Sequence, residues 1–374
     1  MKKNIITSAF FISVLLIHPE SGRGQGCVAL RPMSCTAGDH ANRSGLLEAG
    51  QWQASGTYRY FRSYKHYRGD VEQEERVELG TEVINTANSI DLSLTHAWTD
   101  RLTFSANLPI ISYARSSLYE HYGNSTTANP SRARFSTEAQ GIGDLRVSGL
   151  YWLFDPMDDS AGNVAIGSGI KLPTGNSNVQ DDFHKRTSDG RDSIVHRAVD
   201  QSIQLGDGGW GFTMELQAYR GLWNRASLYF NGFYLFNPTN VNSTLTSGRL
   251  TGVDPLIAYH SVADQYSARL GVNYMVLPEQ NIAVTLSGRV EGIPAHDVFG
   301  KSEGFRRPGY IVSFEPGITF MRGNSSFVLN LPVALYRNRV KSTFDLADPT
   351  GQRHGDAAFA DYLVNVTLLH RFGN

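Results

Sequence analysis

Apolar and polar residues alternate along most of the chain from about residue 50 onward. In segment 50–62, Trp52 and Tyr58 share one parity, whereas Gln53 and Arg59 share the other. A period of two is typical of a β-strand with one apolar and one polar face. About twelve segments repeat this pattern. The predicted strands are 50–62, 88–99, 102–114, 144–154, 163–172, 210–219, 226–236, 265–276, 282–291, 310–321, 327–337 and 362–372.

The segments between these strands alternate in length. Short turns are predicted near residue 100 and at 155–162, 221–225, 278–281 and 322–324, and long loops at 63–87, 115–143, 173–209, 238–264, 292–309 and 338–361. Barrels of the bacterial outer membrane have even strand numbers, short periplasmic turns and long outward loops. The pattern therefore predicts an all-β fold, an antiparallel transmembrane β-barrel of about 12 strands over residues 50–374, with short periplasmic turns and long extracellular loops.

The N-terminal region has the pattern of an export signal. Lys2 and Lys3 precede an apolar run at 5–17, and Gly24 and Gly26 suit a cleavage site before Cys27. We therefore predict a signal peptide over 1–26 and a periplasmic N-terminal segment over 27–49. After residue 26 no apolar run reaches the roughly 18 residues of a spanning helix.

The two cysteines, Cys27 and Cys35, both lie in the exported part of the chain. Their spacing suits a small disulfide loop in the oxidising periplasm. Lipidation of Cys27 is an alternative, although Gly24 stands where such signals usually carry leucine. A metal site formed by two cysteines is less favoured, since no histidine pair lies nearby.

The composition agrees with β-structure and excludes one class of partner. Charged residues are 18% of the chain, Gly is found 37 times, and the formal net charge is −1. A chain without a basic patch lacks the charge needed to hold a polyanion. We therefore expect no nucleic acid partner.

Aromatic residues recur near the ends of the apolar stripes, where the interfacial girdles of membrane barrels lie. The proposed girdle consists of Trp52, Tyr58, Trp98, Tyr151, Trp210, Tyr234, Tyr310, Phe320 and Phe372. Phe372 also resembles the C-terminal signal by which outer-membrane barrels are assembled, although Gly373 and Asn374 follow it. The expected partners are outer-membrane lipid, the barrel-assembly machinery and a small-molecule solute.

The polar face of the strands is expected to line the lumen. The candidate lumen residues are Arg59, Asp91, Asp144, Arg146, Lys171, Glu215, Arg269, Arg289, Glu291, Glu315 and Arg371. Because both signs are present, these charges are expected to pair, and about twelve strands leave a restricted pore at most. A polar filling and a substrate path remain open alternatives. Aromatic residues of the same parity could line a route for an apolar solute, namely Phe61, Tyr219, Tyr229, Phe233 and Tyr336.

Candidate catalytic and cofactor motifs are weak. Ser93, His96 and Ser105 lack a nucleophile elbow, and the glycines at 206–211 lack the ending of a phosphate loop. His184 and His196 share a polar loop with several aspartates, for which solvation is the default interpretation. We predict no cofactor, no metal site and no enzymatic activity.

Three glycine-rich motifs carry a family resemblance: Gly141-Ile142-Gly143-Asp144-Leu145, Gly169-Ile170-Lys171-Leu172-Pro173-Thr174-Gly175, and the segment 200–211. With the motifs at 304–310 and 315–317, the chain resembles the phenol-degradation meta-pathway (Phenol MetA deg-like) family of outer-membrane proteins, from about residue 50 to the C-terminus. The resemblance implies a barrel for hydrophobic or aromatic compounds and brings no established site residues.

The leading hypothesis is a channel or transporter for small, hydrophobic or aromatic, solutes. The alternatives are a barrel that does not transport and binds surface partners through its long loops, and an outer-membrane lipolytic enzyme.

Overall fold

The computed structural model describes residues 46–156 and 162–373. The predicted signal peptide, the cysteine pair and most of the predicted periplasmic segment lie outside the described residues. The described strands are β1 (Trp52–Arg68), β2 (Val71–Glu72), β3 (Ile84–Ala97), β4 (Leu102–Ser117), β5 (Phe135–Ile142), β6 (Leu145–Trp152), β7 (Gly162–Leu172), β8 (Gln180–Arg186), β9 (Asp192–Ala198), β10 (Gly211–Trp223), β11 (Ala226–Phe236), β12 (Val241–Leu245), β13 (Tyr259–Ser261), β14 (Gln265–Leu277), β15 (Ile282–Ile293), β16 (Gly309–Arg322), β17 (Ser325–Asn330), β18 (Val333–Arg339) and β19 (Ala357–Phe372).

Helical structure in the described residues is limited to short pieces in the connections. They are α1 (Glu75–Glu78), α2 (Thr343–Leu346) and the 3-10 turns Gln201–Ile203, Pro255–Ile257 and Pro278–Gln280. No helix in this part of the chain is long and apolar enough to cross a membrane.

The long strands form one antiparallel sheet that closes on itself. Its wall runs β1, β3, β4, β5 with β6, β7, β10, β11, β14, β15, β16, β17 with β18, and β19. The last strand pairs with the first along almost its whole length, from Trp52 opposite Phe372 to Tyr67 opposite Ala357. Closure satisfies the backbone donors and acceptors of both edges, which a membrane core requires. The prediction of a transmembrane β-barrel with about 12 strands is confirmed.

The connections alternate as predicted. Short turns follow β3, β6, β10, β14 and β16, whereas long loops follow β1, β4, β7, β11, β15 and β18. Both ends of the wall, Trp52 and Phe372, lie at the end with the short turns. This end faces the periplasm, and the loops form the outer end.

Two wall strands are interrupted, which the alternation pattern did not predict. The segment Phe135–Ile142, which the sequence analysis assigned to a loop, forms strand β5. It pairs with the outer half of β4, and β6 pairs with the periplasmic half of the same strand. The predicted strand 327–337 is split into β17 and β18 around Pro332. Proline has no amide hydrogen to donate, so a ladder is readily broken there. At the first break the amide of Gly143 instead donates to the carbonyl of Pro109 at 2.8 Å.

The outward face of the wall is apolar. On β3, for example, Ile90, Leu92 and Leu94 are each more than two-fifths exposed outside the barrel. In a membrane these side chains contact lipid rather than water, so their position outside the barrel carries no hydrophobic penalty.

Aromatic side chains mark both rims of this apolar band. At the periplasmic rim, Trp52 stacks on His96 with ring centres 4.2 Å apart. At the outer rim, Phe212 stacks on Phe236 at 4.6 Å.

One aromatic residue that was predicted to face the lumen, Tyr336, faces outward instead. Tyr336 is 38% exposed, and its ring lies 5.6 Å from that of Tyr310 at the outer rim. The register between β16 and β18 shifts between Val312 and Ser313. A bulge of this kind reverses which residues face inward, so the parity taken from the sequence fails there.

Candidate functional site

A network of buried charges joins the neighbouring strands β14, β15 and β16. Arg289 contacts Glu291 at 2.5 Å and Glu315 at 3.6 Å, and Arg269 contacts Glu315 at 3.1 Å. Arg289, Glu291 and Glu315 are each at most 3% exposed. The structure thus brings together four of the predicted lumen residues as mutual partners, which is what buried charges of both signs require.

Another group of predicted lumen residues meets at the break between β5 and β6. Lys171 forms an ion pair with Asp207, and its side chain is 1% exposed. Asp144 accepts hydrogen bonds from the amides of Gly175 at 3.0 Å and Asp207 at 3.2 Å. We call this contact between the wall and the β7–β10 loop the wall junction. It joins three sequence motifs that lie far apart along the chain.

Glycine is required at the wall junction because two backbones approach closely. A Cβ atom on Gly206 would lie 2.5 Å from a carboxylate oxygen of Asp144 and 2.6 Å from the carbonyl of Gly175. Real Cβ atoms do not come so close to backbone, so the glycines are explained by packing rather than by phosphate binding.

The remaining predicted lumen residues are spread around the barrel. Arg59 on β1 is 3% exposed, and Asp91 on the neighbouring β3 is half-buried. Glu215 on β10 is 6% exposed and interacts electrostatically with Arg146 of β6. Arg371 donates to the side-chain oxygen of Gln53 at 3.3 Å, near the periplasmic end.

A segment of the β7–β10 loop packs against the inner face of one side of the barrel wall. Val199, Ile203 and Leu205 are at most 7% exposed and pack as one cluster with inward residues of β1, β3, β4, β5 and β19. The wall residues of this cluster are Phe61, Ala87, Ile111, Tyr113, Ala139, Ala360 and Leu363. We call Val199–Leu205 the plug. The contacts that Val199, Ile203 and Leu205 make with the barrel wall are apolar, in contrast to the charged network on β14, β15 and β16.

Ion pairs hold the plug at its outer side. Asp200 receives two hydrogen bonds from Arg307, at 2.7 and 2.8 Å, and lies 3.6 Å from Arg115 of β4. Burial alone would raise the pKa of Asp200, but the charges of Arg115 and Arg307 hold this pKa well below its usual value. The carboxylate is therefore charged at neutral pH and ties the plug to two other parts of the mouth.

A cavity of about 480 Å³ lies at the mouth, outside the plug. We call it the mouth cavity. Residues of the β1–β3, β4–β5, β11–β14, β15–β16 and β18–β19 connections line it, so five of the six long loops contribute. Six arginines and two aspartates are among the lining residues, together with the rings of Tyr119, Phe305 and Phe344.

The candidate catalytic residues do not assemble into a site. Ser105 pairs with Thr95 at 2.8 Å, and His96 stacks on Trp52. His184 and His196 each bind one aspartate of the β8–β9 hairpin, Asp192 and Asp182 respectively. Within residues 46–156 and 162–373, no three His, Cys, Asp or Glu side chains form a group that could hold a metal ion.

Sequence reasoning missed the plug and its partners. Ile203 and Leu205 stand as apolar residues in a polar loop, and this contrast was an available signal. Arg115 and Arg307 carried no comparable signal, because their partner Asp200 is 85 and 107 positions away in the chain, respectively.

Among solved structures, a channel of the outer membrane shares this fold. The COG4313 outer membrane channel from Pseudomonas putida F1 has a TM-score of 0.58 and 14% sequence identity, over 92% of this chain and 100% of that chain. The toluene transporter TodX of Pseudomonas putida has a TM-score of 0.40 at 10% identity, over 88% of this chain and 91% of that chain. A Pseudomonas aeruginosa FadL homologue has a TM-score of 0.39 at 8% identity, over 94% of this chain and 100% of that chain.

The sequence matches no family model, and no curated protein matches it. The fold nevertheless defines the class: the chain is a twelve-stranded β-barrel protein of the bacterial outer membrane. The predicted location is confirmed.

Proposed function

We propose that the protein is a gated outer-membrane channel for small hydrophobic or aromatic solutes. The observation that carries this proposal is the apolar plug, which packs inside the barrel against an apolar part of the wall. When the plug moves aside, the exposed wall offers Phe61, Ile111, Tyr113 and Leu363 to a solute. Such a surface favours apolar molecules over hydrated ions, since burial of apolar area is favourable.

The inner charge network supports selectivity rather than free diffusion. Because Arg289, Glu291 and Glu315 are paired and buried, they narrow the path beside β14 to β16. A barrel of twelve strands lies between small filled barrels and wide porins. We therefore expect low conductance while the plug is docked.

The fold is shared with the COG4313 outer membrane channel, which agrees with passage of a solute through the lumen. Two further expectations belong to this proposal. Three of the motifs that carry the resemblance to the phenol-degradation meta-pathway family meet at the wall junction, and we propose membership of that family. Phe372 at the end of β19 is the proposed contact for the barrel-assembly machinery.

Solute entry into liposomes tests the proposal. Vesicles containing the purified barrel are expected to take up toluene-like solutes faster than empty vesicles, and a variant with 199–205 replaced by a Gly-Ser linker is expected to be faster still. Replacement of 187–191, the tip of the β8–β9 hairpin in the same loop, serves as the matched control. Equal uptake by barrel-containing and empty vesicles would contradict the proposal.

The lipolytic alternative has one observation in its favour. Ser325 and His370 lie within hydrogen-bonding distance, 2.9 Å, at the periplasmic rim. A serine nucleophile also needs an oriented base and an oxyanion site. A fluorophosphonate probe would label Ser325 if this pair were catalytic, and we expect no labelling.

A further inference from the structure

The mouth cavity combines two kinds of lining that suit one class of ligand. Arg76, Arg306, Arg339 and Arg353 supply guanidinium groups in addition to the two arginines that hold Asp200. Guanidinium groups bind carboxylates through paired hydrogen bonds. Aromatic rings and the side chains of residues such as Ile257 supply the apolar remainder of the wall.

The arginines are positioned before any ligand arrives. Arg306 forms two hydrogen bonds with Asp297, at 2.6 and 2.8 Å, and Arg339 contacts Asp345 at 3.2 Å. Arg76 contacts Asp356 at 2.5 Å. These carboxylates fix the guanidinium groups in the wall, so a ligand does not need to order them and loses less entropy on binding.

Arg353 is held differently from these three. Its guanidinium donates to the backbone carbonyl of Phe344 at 3.0 Å and lies 4.0 Å from the centre of the Phe344 ring. Arg307 similarly lies 4.7 Å from the centre of the Phe305 ring. An aromatic ring beside a guanidinium is suited to a ligand that is itself aromatic and anionic.

The cavity is also the right size for such a ligand. Small-molecule sites usually enclose about 300 to 1,000 Å³, and the mouth cavity encloses about 480 Å³. A cavity of this volume accommodates a compound with a single aromatic ring.

We propose that the mouth cavity is a binding site for small aromatic carboxylates, and that the bound carboxylate replaces Asp200 as the partner of Arg115 and Arg307. Both arginines line the cavity and also contact Asp200 of the plug, Arg307 at 2.7 Å and Arg115 at 3.6 Å, and Arg115 has Glu120 as a second partner at 2.9 Å. A ligand carboxylate on these guanidinium groups removes the restraint on the plug and favours its release. The second step rests on the proposed channel function, whereas the binding site does not.

Binding is tested with the full-length barrel in detergent, with benzoate as the probe. Titration calorimetry is expected to show saturable binding of benzoate, with toluene and acetate at least about tenfold weaker, because each lacks one half of the recognised structure. Variants R353Q and R307Q are expected to weaken benzoate binding about tenfold or more. R191Q is the matched control, since Arg191 is an exposed arginine at the tip of the β8–β9 hairpin and its side chain is 82% exposed.

The results separate the site from the proposed function. Unchanged benzoate affinity in R353Q and R307Q, with both variants showing the heat-modifiable mobility of a folded barrel, would overturn the site. Toluene binding as tightly as benzoate would also overturn it. R353K retains the charge but lacks the guanidinium fork, and its partial loss of affinity would support paired hydrogen bonding.

Planar bilayers test the second step. Benzoate added on the side of the long loops is expected to raise the open probability of the wild-type barrel and to add nothing in D200N. Benzoate binding without any change in conductance would overturn the release step while supporting the site. Failure of toluene uptake in liposomes would instead contradict the proposed function.

Discussion

At the scale of single residues, Asp200 connects the plug to the arginines that line the mouth cavity. Its carboxylate contacts two arginines that come from different parts of the chain, Arg115 and Arg307. Removing one partner of a buried ion pair is far more costly than losing an exposed pair, although Arg115 keeps Glu120 as a second partner at 2.9 Å.

We therefore predict that D200N loosens the plug. The local cost is on the order of 3 kcal/mol, and it is expected to appear as higher basal conductance and faster proteolysis within the β7–β10 loop. D189N is the matched control, because Asp189 lies at the exposed tip of the β8–β9 hairpin. If both variants had wild-type conductance and proteolysis, Asp200 would not restrain the plug.

Gly206 tests the wall junction at the same scale. In G206A, the new Cβ would meet Asp144 and the carbonyl of Gly175 at 2.6 Å or less. We expect a loss of stability of about 1 to 3 kcal/mol, measured as a lower midpoint of urea unfolding. G288A is the control, since nothing lies within 4 Å of the corresponding position on Gly288. If G206A unfolded at the same urea concentration as the wild-type protein, the wall junction would accommodate the added methyl group without loss of stability.

At the scale of elements, the plug is a short loop segment that depends on the barrel wall for its position. Its 3-10 turn Gln201–Ile203 is capped by Asp200, whose side chain accepts from the amide of Ser202 at 2.9 Å. One turn has little stability of its own. The apolar contacts of Val199, Ile203 and Leu205, together with the ion pairs of Asp200, therefore hold it in the lumen.

A charge at Ile203 is expected to expel the plug. I203D would place a carboxylate among buried apolar side chains, at a cost of roughly 3 kcal/mol or more, and undocking avoids this cost. The expected result is a several-fold rise in conductance and solute uptake. I194D is the control, because Ile194 of β9 is 56% exposed. A closed I203D barrel would indicate that the plug is not the closing element.

At the scale of the whole molecule, the outer loops form a layer whose stability depends on neutral histidines. Burial lowers the pKa values of His121 and His260 to about 4, and nearby Arg197 acts in the same direction on both. His121 also accepts a hydrogen bond from the amide of His184 at 3.1 Å through Nδ1, which requires this nitrogen to be unprotonated.

This layer is expected to weaken in mild acid. In the unfolded loops these histidines would take up protons near pH 6.5, whereas in the folded loops they do so only near pH 4. The unfolded state therefore binds more protons in this range, and stability falls as the pH drops from about 6.5 to 4.

Hydrogen exchange of the outer loops measures this effect. Protection of the amides around residues 118–122 and 259–261 is expected to decrease between pH 6.5 and 4, after correction for the intrinsic exchange rate. The double variant H121Q/H260Q is expected to flatten the dependence. An unchanged slope in the double variant would assign the effect to other groups.

The alternation of apolar and polar residues determined the barrel itself, because a membrane wall imposes the same two-sided pattern on every strand. It predicted the even strand number, the sorting of loop lengths and the all-β class. It also selected Arg269, Arg289, Glu291 and Glu315 by their parity and predicted that such charges would pair, although not which residues would pair with each other. Parity failed at Tyr336 because a bulge in the register does not appear in a residue pattern.

Only the tertiary structure decided how the lumen of the barrel is obstructed. The plug, the wall junction and the mouth cavity all depend on contacts between residues that are far apart in sequence, such as Asp200 with Arg307 and Asp144 with Asp207. Strand patterns repeat locally and can be recognised locally, whereas a loop that folds back into a lumen is positioned by surfaces that exist only once the barrel has formed.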